Sequence, residues 1–415
     1  MVKVVYLTWA ETPRTYGIYR SQVIDIITKI RDSSDNVSVE LLAGLPVIHS
    51  GLVREKLKYK KEIATIKELL GKSDISFKTL PIFITQNFVY PSRFTFPLIF
   101  LGAERALYKE LIIRQPDIVH CRSMLAAYIA SKVKKKHRLK YKIVYDVRSL
   151  WPENIERRKP NAKNYAYFKQ IEKSLVRYVD SVVSVNPEMA SHYKEIGSKQ
   201  TLVNYLAANV DQKPFEKLES QSNHSLKVLF LGAIRAKTIQ DPILLFTIFE
   251  TIHKLFNEAT LTIITTSSHK KLRELALGYF GKELPITFIA VKDRAKLQRM
   301  LTEFDLAIHA YRKPTTEIYR LFASTGFATK SSEYLAAGLP IIVSKYPKSI
   351  GNLLATNNIG LVYDEDKQDG GLSVNSIKAL LNEETKRIAQ KVALDNFDYN
   401  VVAKKFVSHY ISLLK

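Results

Sequence analysis

Apolar runs of strand length alternate with longer helix-patterned stretches from one end of this chain to the other, in two successive series. The first series is VKVVYLT, VSVELL, ISFKTLP, DIVHC, YKIVYDV and SVVSV, with helical patterns such as SQVIDIITKI and AYFKQIEKSLVRYV between them; the second is LKVLFLG, LTIITT, ITFIA, DLAIHA, PIIVS and GLVY. A strand that feeds a helix rejoins its sheet in the same direction, so the alternation predicts parallel α/β sheets covered on both faces. At 415 residues there is room for two such cores. The polar, irregular ANVDQKPFEKLESQSNHS separates the series and puts a boundary between Asn204 and His224. Two Rossmann-like domains are expected, residues 1–205 and 206–397, with an amphipathic helix from about Asp398 that can pack back on the first.

Composition narrows the setting. Cys121 is the only cysteine, which excludes a disulfide framework or a Cys-rich metal site and fits a reducing compartment. The opening MVKVVYLTW is too short, and lacks the basic lead, for a signal peptide. No apolar run approaches the roughly 20 residues that span a bilayer, so a cytoplasmic protein is expected. The formal charge is +23 and uneven: residues 1–200 hold 35 Lys/Arg against 19 Asp/Glu, the remainder 28 against 21. The densest run, KVKKKHRLKYK, lies in the acid-free stretch between Asp117 and Asp146. It reads as a solvated helix end, a seat for an anionic membrane surface, or a nucleic-acid contact. The missing aromatic interleaving argues against nucleic acid. Upstream, FTFPLIFLGA is either the core face of a helix or an interfacial anchor beside that run.

The most compact unit is STGFATKSSEYLAAGLPIIVS, Ser324 to Ser344. A glycine loop leads into a helix near Thr329, Gly338 and Pro340 stop it, and a buried strand follows. Glu333 is expected in the first turn, where a carboxylate suits the dipole and free amides seat phosphate.

With these motifs together, the chain resembles the GT-B glycosyltransferases, specifically family 4, the retaining nucleotide-sugar transferases. The likeness runs through the opening strand and glycine loop, PDIVHCRS, YDVRSLWPEN, SVVSVNPEM, LKVLFLGAIR and, most specifically, GFATKSSEYLAAGLPII. It implies two Rossmann-like domains facing each other across a cleft, with the donor on the C-terminal domain and the acceptor on the N-terminal one. It also implies that Glu333 accepts hydrogen bonds from the donor ribose hydroxyls, as a carboxylate facing a cis-diol can. Thr325, eight residues earlier, replaces a family glutamate that contacts the donor sugar, while Gly326 and Phe327 keep their places. Arg235 and Lys237 match the phosphate cations in role, with Lys330 a third candidate. Gly17, accompanied by Ser21 and Gln22, matches the glycine that lets the backbone approach the phosphates. His120 matches a buried family histidine.

Arg122 stands where many relatives carry a catalytic histidine. An arginine stays protonated and cannot be a general base, but it can stabilise charge at the reacting centre, which suits a retaining transfer. Asp146, Arg148 and Glu153 are expected to line the acceptor side, with salt bridging as the alternative. His309 is either a donor-pocket residue or a satisfied core histidine, and Asp364 to Asp366 read as a solvated turn. No metal and no cofactor beyond the donor substrate is expected, with UDP ahead of GDP. The implied protein is a transferase acting on a glycan or lipid-linked acceptor, in the cytoplasm or peripheral on the inner face of the cell membrane. The alternatives are a nucleotide-sugar epimerase on the same fold and an inactive basic membrane-binding protein.

Overall fold

The computed structural model describes residues 1–48, 53–85, 91–210, 225–234, 238–291 and 293–415. The chain divides into two compact units, one formed by Met1–Ala207 with Tyr399–Lys415, the other by Ala208–Asp398. Of the segment between the two strand series, residues 211–224 lie outside the described residues.

The first unit holds β1 (Val2–Trp9), β2 (Val37–Ile48), β3 (Phe77–Thr85), β4 (Ile118–Arg122), β5 (Lys142–Val147), β6 (Ser181–Ser184) and β7 (Thr201–Val203). All pair in parallel, in the order β3-β2-β1-β4-β5-β6-β7. The central strands are buried on both faces, as their predominantly apolar runs suggest. Sequence periodicity does not reveal β7, because three residues at a sheet edge are too few to show one. The last helix, Tyr399–Leu413, packs in this unit against the helix Asp25–Asp32, and its Val402, Phe406 and Tyr410 share one core with Ile26, Ile27 and Ile30. Each such side chain contributes about 1.5–3 kcal/mol on burial. Asn204 Nδ2 donates to the Val402 carbonyl at 3.0 Å and ties the end of the strand series to that helix.

The second unit holds β8 (Lys227–Leu231), β9 (Thr260–Ile264), β10 (Ile286–Ile289), β11 (Leu306–His309), β12 (Ile341–Ser344) and β13 (Gly360–Tyr363). They form a parallel sheet ordered β10-β9-β8-β11-β12-β13. Its core joins Phe230, Ile263, Ile308 and Ile342 to Phe246, Phe249 and Ile252 of the helix Pro242–Leu255. Asp241 caps that helix by accepting the Ile243 N–H at 2.9 Å. In each sheet the strand order reverses beside the first strand, between β1 and β4 and between β8 and β11. The carboxyl ends of strands at such switch points are where open α/β sheets receive ligands.

The basic run is less free than its composition suggests. It ends the helix Ser123–His137, where Lys132 and Lys136 both pair with Glu104 while Lys134 and Lys142 each reach Asp180 at 3.3 Å. Lys135, Arg138 and Lys140 are exposed and form no ion pair among the described residues. FTFPLIFLGA is core on one side only: Phe96, Ile99 and Phe100 are buried on a short 3₁₀ turn, whereas Phe94, Leu98 and Leu101 face solvent.

Candidate functional site

At the switch point of the first sheet, the residues that follow β1 and β4 both take left-handed backbone, Ala10 at φ 56° and Ser123 at φ 79°. Strain in non-glycine residues tends to gather where a ligand is held. Arg122 ends β4 with its side chain 5% exposed. Its Nε donates to Glu11 Oε2 at 2.9 Å, and Nη1 lies 3.5 Å from the Gln22 carbonyl. Burial alone would lower the guanidinium pKa, but Glu11, Tyr6 and Asp146 hold it above its ordinary value. Arg122 is therefore a fixed cation, oriented by a glutamate that the sequence reading did not pair with it.

Gly17 sits on the same side of β1, at φ 65° with open space where a Cβ would stand. The requirement there is conformational, since only glycine adopts this backbone freely. Its loop is pinned by Glu62, which accepts from the Thr15 N–H at 2.9 Å and from the Thr15 hydroxyl at 2.8 Å. The following Arg20–Ile24 forms a π-helical turn, a feature frequent at functional sites. Gln22 turns inward and donates to the Ala207 carbonyl at 2.8 Å, and Ser21 is half-buried beside it.

Deeper in this unit lies a closed polar chain. Asp146 Oδ2 accepts from Arg148 Nη2 at 2.6 Å and Nε at 2.9 Å, and from the Tyr6 hydroxyl at 3.4 Å. His120 Nε2 is 3.2 Å from the same oxygen, and Tyr410 Oη is 2.8 Å from His120 Nδ1. Burial would raise the Asp146 pKa, but Arg148, His120 and Arg122 hold the carboxyl well below the usual range. Burial keeps His120 neutral despite that carboxylate. An ionised carboxylate only accepts, so Nε2 carries the proton and Nδ1 accepts from Tyr410. The salt-bridge alternative thus describes Asp146 and Arg148, at the carboxyl end of β5.

Glu153 does not join them. It is fully buried on the helix Trp151–Arg158, where Lys169 Nζ lies 2.8 Å away and the Tyr165 hydroxyl donates to it at 3.1 Å. Lys169 also pairs with Glu172, so one ammonium serves two buried carboxylates.

In the second unit, the helix Thr329–Ala336 starts after Ala328 with no side-chain cap. Glu333 is its fifth residue, beyond the first turn, so the helix dipole alone does not account for it. Its partner is Lys330, at 2.8 Å with both side chains 30% exposed. The helix is fastened to the switch point of its sheet. The Tyr334 hydroxyl accepts the Leu231 N–H at 2.6 Å at the end of β8, and Ser331 Oγ lies 3.0 Å from His309 Nε2 at the end of β11. The His309 Nδ1 is shielded and has no hydrogen-bond partner among the described residues. Burial, with Lys330 adding to it, pushes the His309 pKa down to about 3.

The preceding loop is tightly fitted. Thr325 is 3% exposed and its hydroxyl donates to the Leu321 carbonyl at 3.1 Å, closing the helix Glu317–Ser324. A Cβ on Gly326 would lie 3.1 Å from the Ala323 carbonyl oxygen and 3.2 Å from the Tyr311 ring. Phe327 packs 5.7 Å from the Phe397 ring. Arg235 and Lys237 lie outside the described residues; just before them, the Ile234 N–H donates to Ser267 Oγ at 3.1 Å. Asp364 and Asp366 both engage Lys345 at the surface beyond β13.

The second unit thus brings together Lys330 and Glu333, with Thr325, Gly326 and Phe327 in the loop before them. The first unit brings together Arg122, Asp146, Arg148 and Gly17 at its strand ends. Sequence reasoning missed Glu11, Ser331, Tyr334 and Tyr410 as partners, and only the Ser331–Tyr334 spacing of one helical turn offered a signal.

Residues 71–205 match Glycosyltransferase Family 4. A search of curated proteins gives no match. Among solved structures, a glycosyltransferase from Rickettsia africae is 16% identical at a TM-score of 0.65, with 100% of this chain and 99% of that chain covered. A sucrose-phosphate synthase from Thermosynechococcus elongatus is 13% identical at 0.67, with 100% and 99% covered. A UDP-GlcNAc 2-epimerase from Neisseria meningitidis, bound to UDP-GlcNAc, is 12% identical at 0.52, with 99% of each covered. At these identities the structures establish the fold. With the likeness to Glycosyltransferase Family 4 over residues 71–205 and its two parallel-sheet units, the chain is a glycosyltransferase of the GT-B fold.

Proposed function

We propose that the chain is a retaining transferase that moves a sugar from a nucleoside diphosphate sugar, UDP ahead of GDP, to a glycan or lipid-linked acceptor in cell-surface polysaccharide or glycolipid synthesis. The observation that carries this reading is the Lys330–Glu333 pair on an uncapped helix fastened to the switch point of the second sheet. Glu333 accepts from the ribose hydroxyls, and the free amides at Thr329 and Lys330 face the diphosphate with the Lys330 ammonium. Arg235 and Lys237 add charge-assisted hydrogen bonds worth about 1.5–3 kcal/mol each, more than the roughly 0.3–1 kcal/mol of the dipole. Protein cations, rather than a metal, then balance the diphosphate.

Arg122 is assigned to charge stabilisation. As a permanent cation it takes no proton, so the acceptor proton passes to the leaving diphosphate oxygen on the same face of the sugar, which preserves the anomeric configuration. Asp146 and Arg148 hold the acceptor side in shape. Incubating the protein with a panel of UDP- and GDP-sugars, with and without a lipid-linked acceptor, tests the reading. Acceptor-dependent release of the nucleoside diphosphate, with a product of unchanged anomeric configuration, is expected. An altered sugar nucleotide formed without acceptor would instead identify an epimerase, the activity of the Neisseria structure, and an inverted product would contradict retention.

The same proposal places the protein at the inner face of the membrane. Its supports are the exposed Lys135, Arg138 and Lys140, which have no ion pair among the described residues, and the exposed Phe94, Leu98 and Leu101. The described helices include none long and apolar enough to cross a membrane, so contact would be peripheral. Arg138→Glu with Lys140→Glu is expected to reduce pelleting with phosphatidylglycerol vesicles at low salt at least about tenfold; equal pelleting would remove the membrane from the account.

A further inference from the structure

A cavity of about 510 Å³ opens in the first unit between the helices Ser123–His137 and Ala162–Tyr178. The rings of Tyr128, Tyr167 and Tyr178 make much of its lining, Lys132 and Lys135 stand along one side, and Ser174 faces it from the other. Lys132 pairs with Glu104, which it shares with Lys136, but Lys135 is exposed without an ion pair among the described residues. Ser131 Oγ also belongs to the lining, and it is shielded from bulk water without a hydrogen-bond partner among the described residues.

This lining continues into the apolar ridge. Tyr128 packs 5.0 Å from both Phe96 and Phe100, and Tyr167 packs 6.1 Å from Phe96. Those phenylalanines anchor the turn whose other face exposes Phe94 at 75%, Leu98 at 46% and Leu101 at 63%. A ligand suited to this arrangement has an apolar portion to cover aromatic faces and an anionic group for Lys135, with an oxygen to meet the Ser131 hydroxyl. A carbohydrate satisfies the tyrosines but leaves the lysine and the ridge unused.

We propose that this groove seats one anionic phospholipid drawn from the membrane leaflet, its phosphate at Lys135 and its glycerol and upper acyl chain along Tyr128 and Tyr167. The inference rests on the peripheral membrane reading above and deepens it, by giving the surface one defined lipid site rather than a diffuse charge field. The site lies apart from the strand-end residues assigned to the reaction, since its lining comes from the outer sides of two helices.

Short-chain phosphatidylglycerol below its micelle concentration, titrated into the full chain and followed by calorimetry, separates the two ideas. Saturable binding of one lipid per chain is expected, about fivefold weaker for Lys135→Gln and for phosphatidylcholine. Ser174→Trp, an exposed position whose indole fills the groove, is expected to abolish it with the melting temperature unchanged. Vesicle binding that persists alongside no saturable uptake of the monomeric lipid, or uptake indifferent to both substitutions, overturns the groove while leaving the basic surface intact. Absence of vesicle binding overturns both. If Ser174→Trp lowers the melting temperature, the exposed Lys135→Gln variant decides alone: unchanged affinity for phosphatidylglycerol overturns the assignment.

Discussion

Glu333→Ala is expected to weaken UDP binding about tenfold to hundredfold while the protein stays folded, because a charge-assisted hydrogen bond to ribose is worth about 1.5–3 kcal/mol. The folded state depends little on this carboxylate. Glu333 and Lys330 are each 30% exposed, and a pair so placed contributes at most about 1 kcal/mol. The substitution also releases Lys330, whose ammonium would then meet phosphate unopposed. Affinity for pyrophosphate should therefore hold or rise while affinity for uridine falls. Calorimetric titration with UDP, uridine and pyrophosphate reads that opposition in sign, and a mere loss of fold cannot imitate it. Unchanged UDP affinity would sink the ribose assignment.

The second large effect is one of acidity. His309 is buried neutral with its pKa depressed to about 3, against 6.5 for the free side chain. A depressed pKa means that the unfolded chain binds the proton first, so this contribution is complete above about pH 6.5 and is lost as pH falls toward the folded value. Between about pH 7.5 and about pH 5 the loss is about 2 kcal/mol from this residue alone. His120 and His409, also held down by burial, act in the same direction on the first unit. Urea unfolding of wild type and His309→Gln at the two pH values isolates the residue: the variant is expected to lose about 2 kcal/mol less than wild type on acidification. Identical losses in both proteins would show that His309 is not held neutral.

Much of this architecture was legible because parallel sheets write themselves plainly. After their leading lysines, VKVVYLT and LKVLFLG run through four apolar residues each, Val4–Leu7 and Val228–Leu231, because both faces of their strands are buried there, and that pattern needs no partner to be read. The Thr329–Ala336 helix was legible from Gly338 and Pro340 at its end, although Glu333 lies beyond the first turn in which it was expected. What stayed hidden depends on contacts distant in sequence. Arg122 announces a charge but not that Glu11 would orient it, and His120 gives no hint of Tyr410, 290 residues away along the chain. Glu153 was misplaced because a position in a motif does not specify which face of a helix it takes. The basic run looked like one field of charge until Glu104 and Asp180, remote in sequence, proved to pair with four of its cations and offset two of those charges.

A crystal structure of the protein with UDP tests the central assignment most directly. The account predicts ribose hydroxyls on the Glu333 carboxylate and the diphosphate against the amides that open the Thr329–Ala336 helix, within reach of Lys330. Nucleotide found elsewhere on the second unit, or held by the first unit alone, would contradict it.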